Sequence, residues 1–160
     1  MPKVYLETSF VSACVTDRTD PGSVHRKQTS LDWWATQRGR HDLLVSDEVV
    51  AELSHPAHPH RAAALAFVDG LPILPVSPEA AGLAAVLIHE RVMPGPLAGD
   101  ALHVATATVH RVEFVLSWNV RHLANPNKTR HLAVICPRLG FAPPQIVTPD
   151  LLWETDDEQP

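Results

Sequence analysis

Short, β-prone apolar runs alternate along this chain with longer segments of helical character, and this alternation restricts the possible folds more than any other feature. The runs cover residues 4–6, 42–45, 71–76, 113–116 and 145–147. Strands that alternate with helices in this way are typical of α/β domains. We therefore predict an α/β domain with a mainly parallel sheet.

The segments between these runs predict the helices. A first helix is expected to begin within residues 9–14, and others to cover 23–38, 46–54, 60–69, 77–91 and 97–110. In the helix at 23–38, Val24, Leu31, Trp34 and Ala35 are expected on the inner side. The helix at 97–110 has almost no polar face, which indicates a central, buried position. Residues 128–136 fit a further helix, although 132–135 could equally form a strand.

Length and charge limit the possible classes of protein. The chain has 160 residues, 45% of them hydrophobic, which fits one domain with its own core. We assign this domain to residues 1–150 and treat 151–160 as an acidic C-terminal tail. Four acids and no base occupy the last seven positions, so a solvated segment without fixed structure is expected there. The net charge of −5 neither supports nor excludes an RNA substrate.

The cellular compartment is predicted from targeting signals and cysteines. No apolar stretch approaches the roughly 20 residues that cross a bilayer, and the first residues lack the pattern of a signal peptide. Cys14 and Cys136 form neither a CxxC pair nor a zinc-binding spacing. Two free thiols in a reducing compartment are expected, so we predict a cytoplasmic protein that does not span a membrane.

Four polar residues stand at the ends of apolar segments. Glu7 follows residues 4–6, Glu52 follows 49–51, Asp100 precedes 101–105, and Asn119 follows 114–118. Because sites in parallel sheets form beyond the carboxyl ends of strands, topology places at least three of these residues near one edge. Carboxylates gathered there repel one another unless a cation binds. The pattern therefore predicts a divalent-metal site.

Each of these residues also has a structural interpretation. Glu7 could cap a helix, Asp100 could pair with a helix dipole, and Asn119 could form a turn. Glu48 lies one helical turn before Glu52 and is interpreted as part of an exposed acidic stripe. Trp118 is interpreted as a core residue rather than a surface on which bases stack.

Neighbouring side chains are lesser candidates for binding water or phosphate. They are the hydroxyls of Thr8 and Ser9, the imidazole of His103 and the guanidinium of Arg121. A histidine such as His103 could equally be hydrogen-bonded in the interior. Asn119 can ligate a metal or orient a carboxylate, because its amide both donates and accepts.

Motifs for competing chemistry are absent from the sequence. It contains no glycine-rich phosphate loop, no GxSxG nucleophile elbow and no HExxH zinc motif. The histidine- and proline-rich residues 55–60 are interpreted as a solvated connection. The acidic residues therefore remain the best-supported candidate site.

Four segments together resemble the motifs of PIN-domain nucleases, in that family's order and at about its spacing. They are YLETSF at 5–10, SDEVVAEL at 46–53, GDALHVATA at 99–107 and LSWNVRHL at 116–123. The resemblance implies a three-layer α/β/α PIN fold with a parallel sheet of about five strands. It also implies Mg²⁺ or Mn²⁺ bound by carboxylates and cleavage of single-stranded RNA. Small PIN proteins of the VapC-like kind are often toxins of toxin–antitoxin pairs, which implies a homodimer and a small antitoxin partner.

Carried onto this chain, the resemblance makes Glu7, Glu52, Asp100 and Asn119 the catalytic set, with the three acids as metal ligands. Glu7 stands where the family usually has aspartate, and Asn119 where many members have a fourth acid. The missing charge should weaken a second metal site first, so a one-metal mechanism stays open.

Two rival functions fit the same residues. The first is a non-catalytic PIN-like binding module, and the second is a metal-dependent phosphohydrolase that acts on small phosphate esters. Neither changes the expected fold. For the expected homodimer, Phe10, Trp33 and Trp34 are candidate contact residues.

Overall fold

A computed structural model describes residues 1–156. Its strands are β1 (Lys3–Leu6), β2 (Asp42–Ser46), β3 (Ile73–Leu74), β4 (Phe114–Leu116) and β5 (Gln145–Val147). Its helices are α1 (Thr8–Val15), α2 (Pro21–Gln37), α3 (Asp47–Ser54), α4 (Arg61–Phe67), α5 (Pro78–His89), α6 (Asp100–Val109) and α7 (Pro126–Arg138). Short 3₁₀ turns cover Arg38–Arg40 and Pro149–Leu151.

The five strands form one sheet in the order β3-β2-β1-β4-β5, and every pair is parallel. Central β1 pairs with both β2 and β4, so that Tyr5 lies opposite Leu44 on one side and Val115 on the other. Val4, Tyr5 and Leu6 are fully buried, as expected for a strand covered on both faces. The predicted α/β class and the five-stranded parallel sheet are confirmed.

The order of the strands creates a switch point between β1 and β4. Connections from β1 lead first to β2 and β3 on one side, and then across to β4 and β5 on the other. Right-handed crossovers in these two directions place helices on opposite faces of the sheet. The crevice at such a switch point, beyond the carboxyl ends of the strands, is where α/β proteins bind ligands.

The inner side of α2 differs from the prediction. The helix starts at Pro21, is capped by Asp20, and buries Ser23, Ser30, Trp33 and Gln37. Three of the four residues expected inside were assigned wrongly: Val24 and Leu31 are 48% and 37% exposed, and Ala35 is exposed. Trp34 is half-buried and packs against the core. Ser30 and Gln37 lie on the inner face because Trp118 and Glu154 bond to them.

Three other boundaries refine the prediction. Glu7 caps α1, and the helix begins at Thr8. Helix α6 begins at Asp100 instead of 97, because Gly99 before it has a positive φ of 109°, which glycine adopts without strain. Of the two alternatives left open for 128–136, the helix is observed as α7. The prediction of a buried central α6 is confirmed, since residues 101–108 are all buried.

The C-terminal segment up to Asp156 is attached to α2. The Trp33 indole donates to the Leu152 carbonyl (2.6 Å). The Gln37 amide donates to the carbonyl of Glu154 and accepts from its N–H, and Arg40 donates to Asp156 (2.6 Å). Residues 154–156 are thus held by specific contacts, unlike the free tail that we expected, and residues 157–160 lie outside the described part of the chain.

Two of the candidate dimer contacts are wrong. Phe10 and Trp33 are fully buried and pack edge to face with ring centroids 5.7 Å apart, so neither reaches the surface. Trp34 packs on Phe67 at 4.3 Å and remains partly accessible. Among residues 1–156, no helix is both long and apolar enough to cross a membrane.

Candidate active site

Glu7 lies at the switch point, directly after β1. Its side chain is 5% exposed, and Oε2 accepts from the Ser9 N–H (2.9 Å), the Ser9 hydroxyl and the Ser117 hydroxyl (3.0 Å). Oε1 accepts no hydrogen bond from the residues that the structure describes. Glu7 is therefore a helix cap, as the structural interpretation held, and also presents a free carboxylate oxygen.

Glu52 is held by a chain of hydrogen bonds that reaches into the core. Its Oε1 accepts from the Thr8 hydroxyl (2.7 Å) and bonds to His103 Nε2. On the other side of the imidazole, His103 Nδ1 and the Tyr5 hydroxyl share a bond of 2.6 Å. The Tyr5 hydroxyl also shares a 2.6 Å bond with Ser46 Oγ, which in turn caps α3. Tyr5, Ser46 and His103 are fully buried, so this chain fixes the carboxylate of Glu52.

Within this chain of hydrogen bonds, His103 and Glu52 each stabilise the charged form of the other. Burial alone would lower the pKa of His103, but the hydrogen bond to Glu52 and the charges of Glu7, Glu52 and Glu48 raise it. Partial burial alone would raise the pKa of Glu52, but the bond and charge of His103 and the bond from Thr8 lower it. Both directions favour an imidazolium beside a carboxylate. Burial raises the pKa of Tyr5 well above its ordinary value, so its hydroxyl stays neutral.

Glu48 belongs to the same acidic region, and its assignment to an exposed stripe was wrong. The side chain is half-buried. Partial burial, followed by the charge of Glu52, raises the pKa of Glu48, while His103 and the backbone amide of Gly99 oppose this rise. The spacing of one helical turn places Glu48 and Glu52 on the same face of α3. Spacing alone does not show whether that face is turned toward the site or toward solvent.

Asp100 and Asn119 form a second group. Asp100 is the first residue of α6, and the Asn119 amide nitrogen lies 3.4 Å from both of its carboxylate oxygens. The side-chain oxygen Oδ1 of Asn119 accepts a hydrogen bond from the His122 N–H (3.0 Å), so the side chain also stabilises a turn. Asn119 is thus placed to orient the carboxylate of Asp100.

The structure brings some of the predicted site residues together and leaves others apart. Glu7, Glu52 and His103 each offer a ligand atom, and these atoms lie within 4.8 Å of one another. Asp100 is not a member of this group. Thr8 and Ser9 contact the carboxylates directly. Arg121 is exposed, and its backbone carbonyl accepts a hydrogen bond from the Asn125 side chain.

The donor set fits a divalent cation. Among residues 1–156, no lysine or arginine nitrogen lies within 4.0 Å of the carboxylates of Glu7, Glu52, Glu48 or Asp100. His103 is the single cationic partner in contact with them. Carboxylate oxygens suit Mg²⁺ and Mn²⁺, whereas both ring nitrogens of His103 are already hydrogen-bonded, to Glu52 and to Tyr5, so the imidazole positions a carboxylate.

Fold and site together define a class: an α/β domain with an acidic, hydroxyl-lined cluster at the switch point of a parallel sheet. The PIN domain family model matches residues 4–124. The chain therefore belongs to the PIN-domain family, which confirms the resemblance in its sequence.

Solved structures share this fold at low sequence identity. The toxin VapC20 of Mycobacterium tuberculosis, described as cleaving the sarcin-ricin loop, is 15% identical with a TM-score of 0.57. That match covers 81% of this chain and 95% of the other. VapBC2 of Rickettsia felis, bound to a DNA fragment from its promoter, is 14% identical with a TM-score of 0.57, covering 91% of this chain and 97% of the other. No curated protein matches the sequence.

Proposed function

We propose that the protein is a metal-dependent endoribonuclease that cleaves single-stranded RNA, as the toxin of a toxin–antitoxin pair in the cytoplasm. The observation that carries this proposal is the meeting of Glu7, Glu52 and His103 at the switch point of a PIN fold. The likeness of the fold to VapC20, a toxin described as cleaving the sarcin-ricin loop, supports the substrate class.

In this proposal Glu7, Glu52 and Asp100 hold Mg²⁺ or Mn²⁺, directly or through water. When bound, such an ion supplies Lewis acidity and lowers the pKa of water for hydrolysis of a phosphodiester. His103 holds Glu52 in position, and Asn119 orients Asp100.

Two hydroxyls and one guanidinium provide the contacts to the substrate in this proposal. The Thr8 and Ser9 hydroxyls, already directed at the carboxylates, position water or phosphate oxygens. Arg121 is exposed on the loop after β4 and contacts the RNA backbone.

The proposal is tested by incubating the purified protein with varied RNAs and with Mg²⁺ or Mn²⁺. We expect cleavage that EDTA stops and that Asp100→Asn abolishes with little loss of stability. Asp47→Asn is the matched control, because Asp47 is also the first residue of a helix but is exposed and outside the site. Intact RNA under all these conditions would refute the ribonuclease assignment, and small nucleotide esters assayed in parallel would reveal a phosphohydrolase.

We also propose a homodimer and a small antitoxin partner, and the similarity to VapBC2 supports the partner. A short open reading frame adjacent to this gene should encode the partner. Its co-expression should abolish cleavage and relieve growth arrest. Light scattering of the purified protein should give twice the chain mass, and a monomer under all conditions would remove the dimer from the proposal.

A second candidate is a non-catalytic binding module. It is favoured by Asn119 in an acid position and by Asp100 standing outside the group of Glu7, Glu52 and His103. Calorimetric titration separates the two functions. Saturable Mg²⁺ or Mn²⁺ binding that Glu7→Gln weakens supports the nuclease, whereas the module should bind neither ion specifically.

A further inference from the structure

A cavity of about 430 Å³ opens beside the candidate active site. It lies between α1, the start of α2, the connection from α3 to α4 and the loop after β4. Two of its lining residues, Ser9 and Asn119, also belong to the site: Ser9 bonds to Glu7, and Asn119 faces Asp100. The cavity is therefore continuous with the acidic cluster, and its volume suits one small ligand.

The cavity is lined by bases, although the whole chain carries a net charge of −5. Arg18, Arg26, His58 and His60 line it, and no aspartate or glutamate of the described residues does. Among the bases, Arg18 and His60 have their own carboxylate partners, at 3.3 and 2.9 Å. Burial and the charge of His60 lower the pKa of His58, so the unpaired positive charge of the cavity comes from Arg26. An anionic ligand is favoured there, beside a site that is itself acidic.

Arg26 is the cation available to such an anion. No carboxylate of residues 1–156 lies within 4.0 Å of its guanidinium nitrogens. Its one side-chain hydrogen bond goes to the Ser23 hydroxyl at 3.3 Å. The side chain is half-buried and lines the cavity. A guanidinium in this setting is suited to a phosphate, which it can bind through two N–H groups.

Trp118 supplies a flat aromatic wall to the same cavity. The indole N–H donates to the Ser30 hydroxyl (2.8 Å), and the backbone N–H of Trp118 donates to the Ser9 hydroxyl (2.9 Å). The ring is thus anchored at both ends and remains partly accessible. A ring fixed before binding loses little entropy when a base stacks on it.

We propose that this cavity is a nucleotide subsite, which binds one unpaired nucleotide of the substrate strand next to the bond addressed by the acidic cluster. Arg26 contacts a phosphate, and Trp118 contacts the base. The inference rests on the proposed ribonuclease function and adds the residues that position the strand. It also explains why Ser30 faces inward on α2, since its hydroxyl holds the indole.

Binding of a fluorescent single-stranded RNA oligonucleotide tests the subsite. Fluorescence anisotropy is measured over a range of salt in the Asp100→Asn background, so that the probe stays intact. Arg26→Gln should weaken binding about tenfold and reduce the salt dependence by about one phosphate contact, a change of roughly 0.7 in the log–log slope. Arg130→Gln removes the same charge from an exposed position on α7 and should change neither.

The aromatic contact is tested with abasic probes. Trp118→Leu should weaken binding at least about fivefold, and Trp118→Phe should retain most of the affinity. A series of oligonucleotides, each with one abasic position, is then compared between the parent protein and Trp118→Leu. At one position, removing the base should weaken binding to the parent but not to Trp118→Leu, because that base and the indole act as a pair. Urea unfolding of each variant confirms that it is folded.

The outcomes separate the two proposals. If the parent protein cleaves RNA but both Arg26→Gln and Trp118→Leu bind like Arg130→Gln, the subsite is overturned and the proposed function stands. If additive losses appear at every abasic position, the base contact is overturned. A parent protein that neither binds nor cleaves RNA overturns both.

Discussion

The buried contact between His103 and Glu52 predicts a measurable coupling energy. The imidazole is fully buried, whereas the carboxylate side chain is 36% exposed. A hydrogen bond to a charged group contributes about 1.5–3 kcal/mol when buried. Because solvent screens the exposed part of Glu52, we expect a coupling energy of about 1–2 kcal/mol. The Tyr5 hydroxyl keeps its bond to Ser46, so it adds little to the loss.

A double-mutant cycle measures this energy. Urea unfolding of the parent, His103→Leu, Glu52→Ala and the double variant is followed in EDTA, so that no divalent ion competes for the carboxylate. Leucine keeps the apolar volume of the imidazole site, which limits cavity effects. The exposed ion pair of Arg40 and Asp156 is the control, and its cycle should give a much smaller coupling.

The coupling should depend on pH in a defined direction. The pKa of folded His103 is raised above its ordinary 6.5, so its contribution is complete below that pH and is lost as the pH rises through the folded value. The pKa of folded Glu52 is lowered from 4.5, so its contribution is present above that pH and is lost as the pH falls through the folded value. The coupling is therefore largest between pH 4.5 and 6.5.

Two results would refute this reasoning. Single-variant effects that add within about 0.5 kcal/mol in that window would mean that the two side chains do not interact. A coupling that persists unchanged at strongly alkaline pH would mean that the bond joins neutral groups rather than an imidazolium and a carboxylate.

Three further predictions follow from the fold. Ser46→Ala should lower the free energy of unfolding by about 1 kcal/mol for the lost cap and by about 0.5–1.5 kcal/mol more for the lost bond to a buried tyrosine hydroxyl; Ser77→Ala, which removes a cap without such a bond, should cost only the first amount. Gln37→Ala should lower the free energy of unfolding by about 1–3 kcal/mol, because two hydrogen bonds to the C-terminal backbone are lost. It should also speed amide hydrogen exchange in that segment. Gln28→Ala, at an exposed position of the same helix, should do neither. Burial raises the pKa of Cys14 to about 12, so iodoacetamide should label this thiol only after unfolding. The free energy of unfolding should fall as the pH rises above 9.0, because the thiol then ionises in the unfolded chain but not in the folded one.

The strands and the edge where the site lies could be predicted because the signals are local. Residues buried on both faces leave apolar runs, and the first polar residue after such a run marks a strand end. Glu7 directly follows β1 in this way, whereas Asn119 comes three residues after the end of β4, behind Ser117 and Trp118. Since β1 and β4 are neighbours in the sheet, two residues far apart in sequence meet at one edge.

The inner face of α2 could not be predicted because tertiary partners decide it. Hydrophobic periodicity selected Val24 and Leu31, yet the helix turns Ser30 and Gln37 inward. These two polar residues bond to the Trp118 indole and to the backbone of Glu154. Partners 88 and 117 residues away in the chain leave no periodic signal in the helix itself.

The charge balance of the site depends on a histidine whose role periodicity could not reveal. We expected crowded carboxylates to require a divalent ion, but the buried imidazole of His103 bonds to Glu52. Although burial opposes it, this bond and the neighbouring carboxylates raise the pKa of His103, and a protonated imidazole offsets part of the negative charge of Glu7 and Glu52. Asn119 removes a further charge where many PIN domains have an acid. Both features reduce the electrostatic attraction of the site for a second divalent ion.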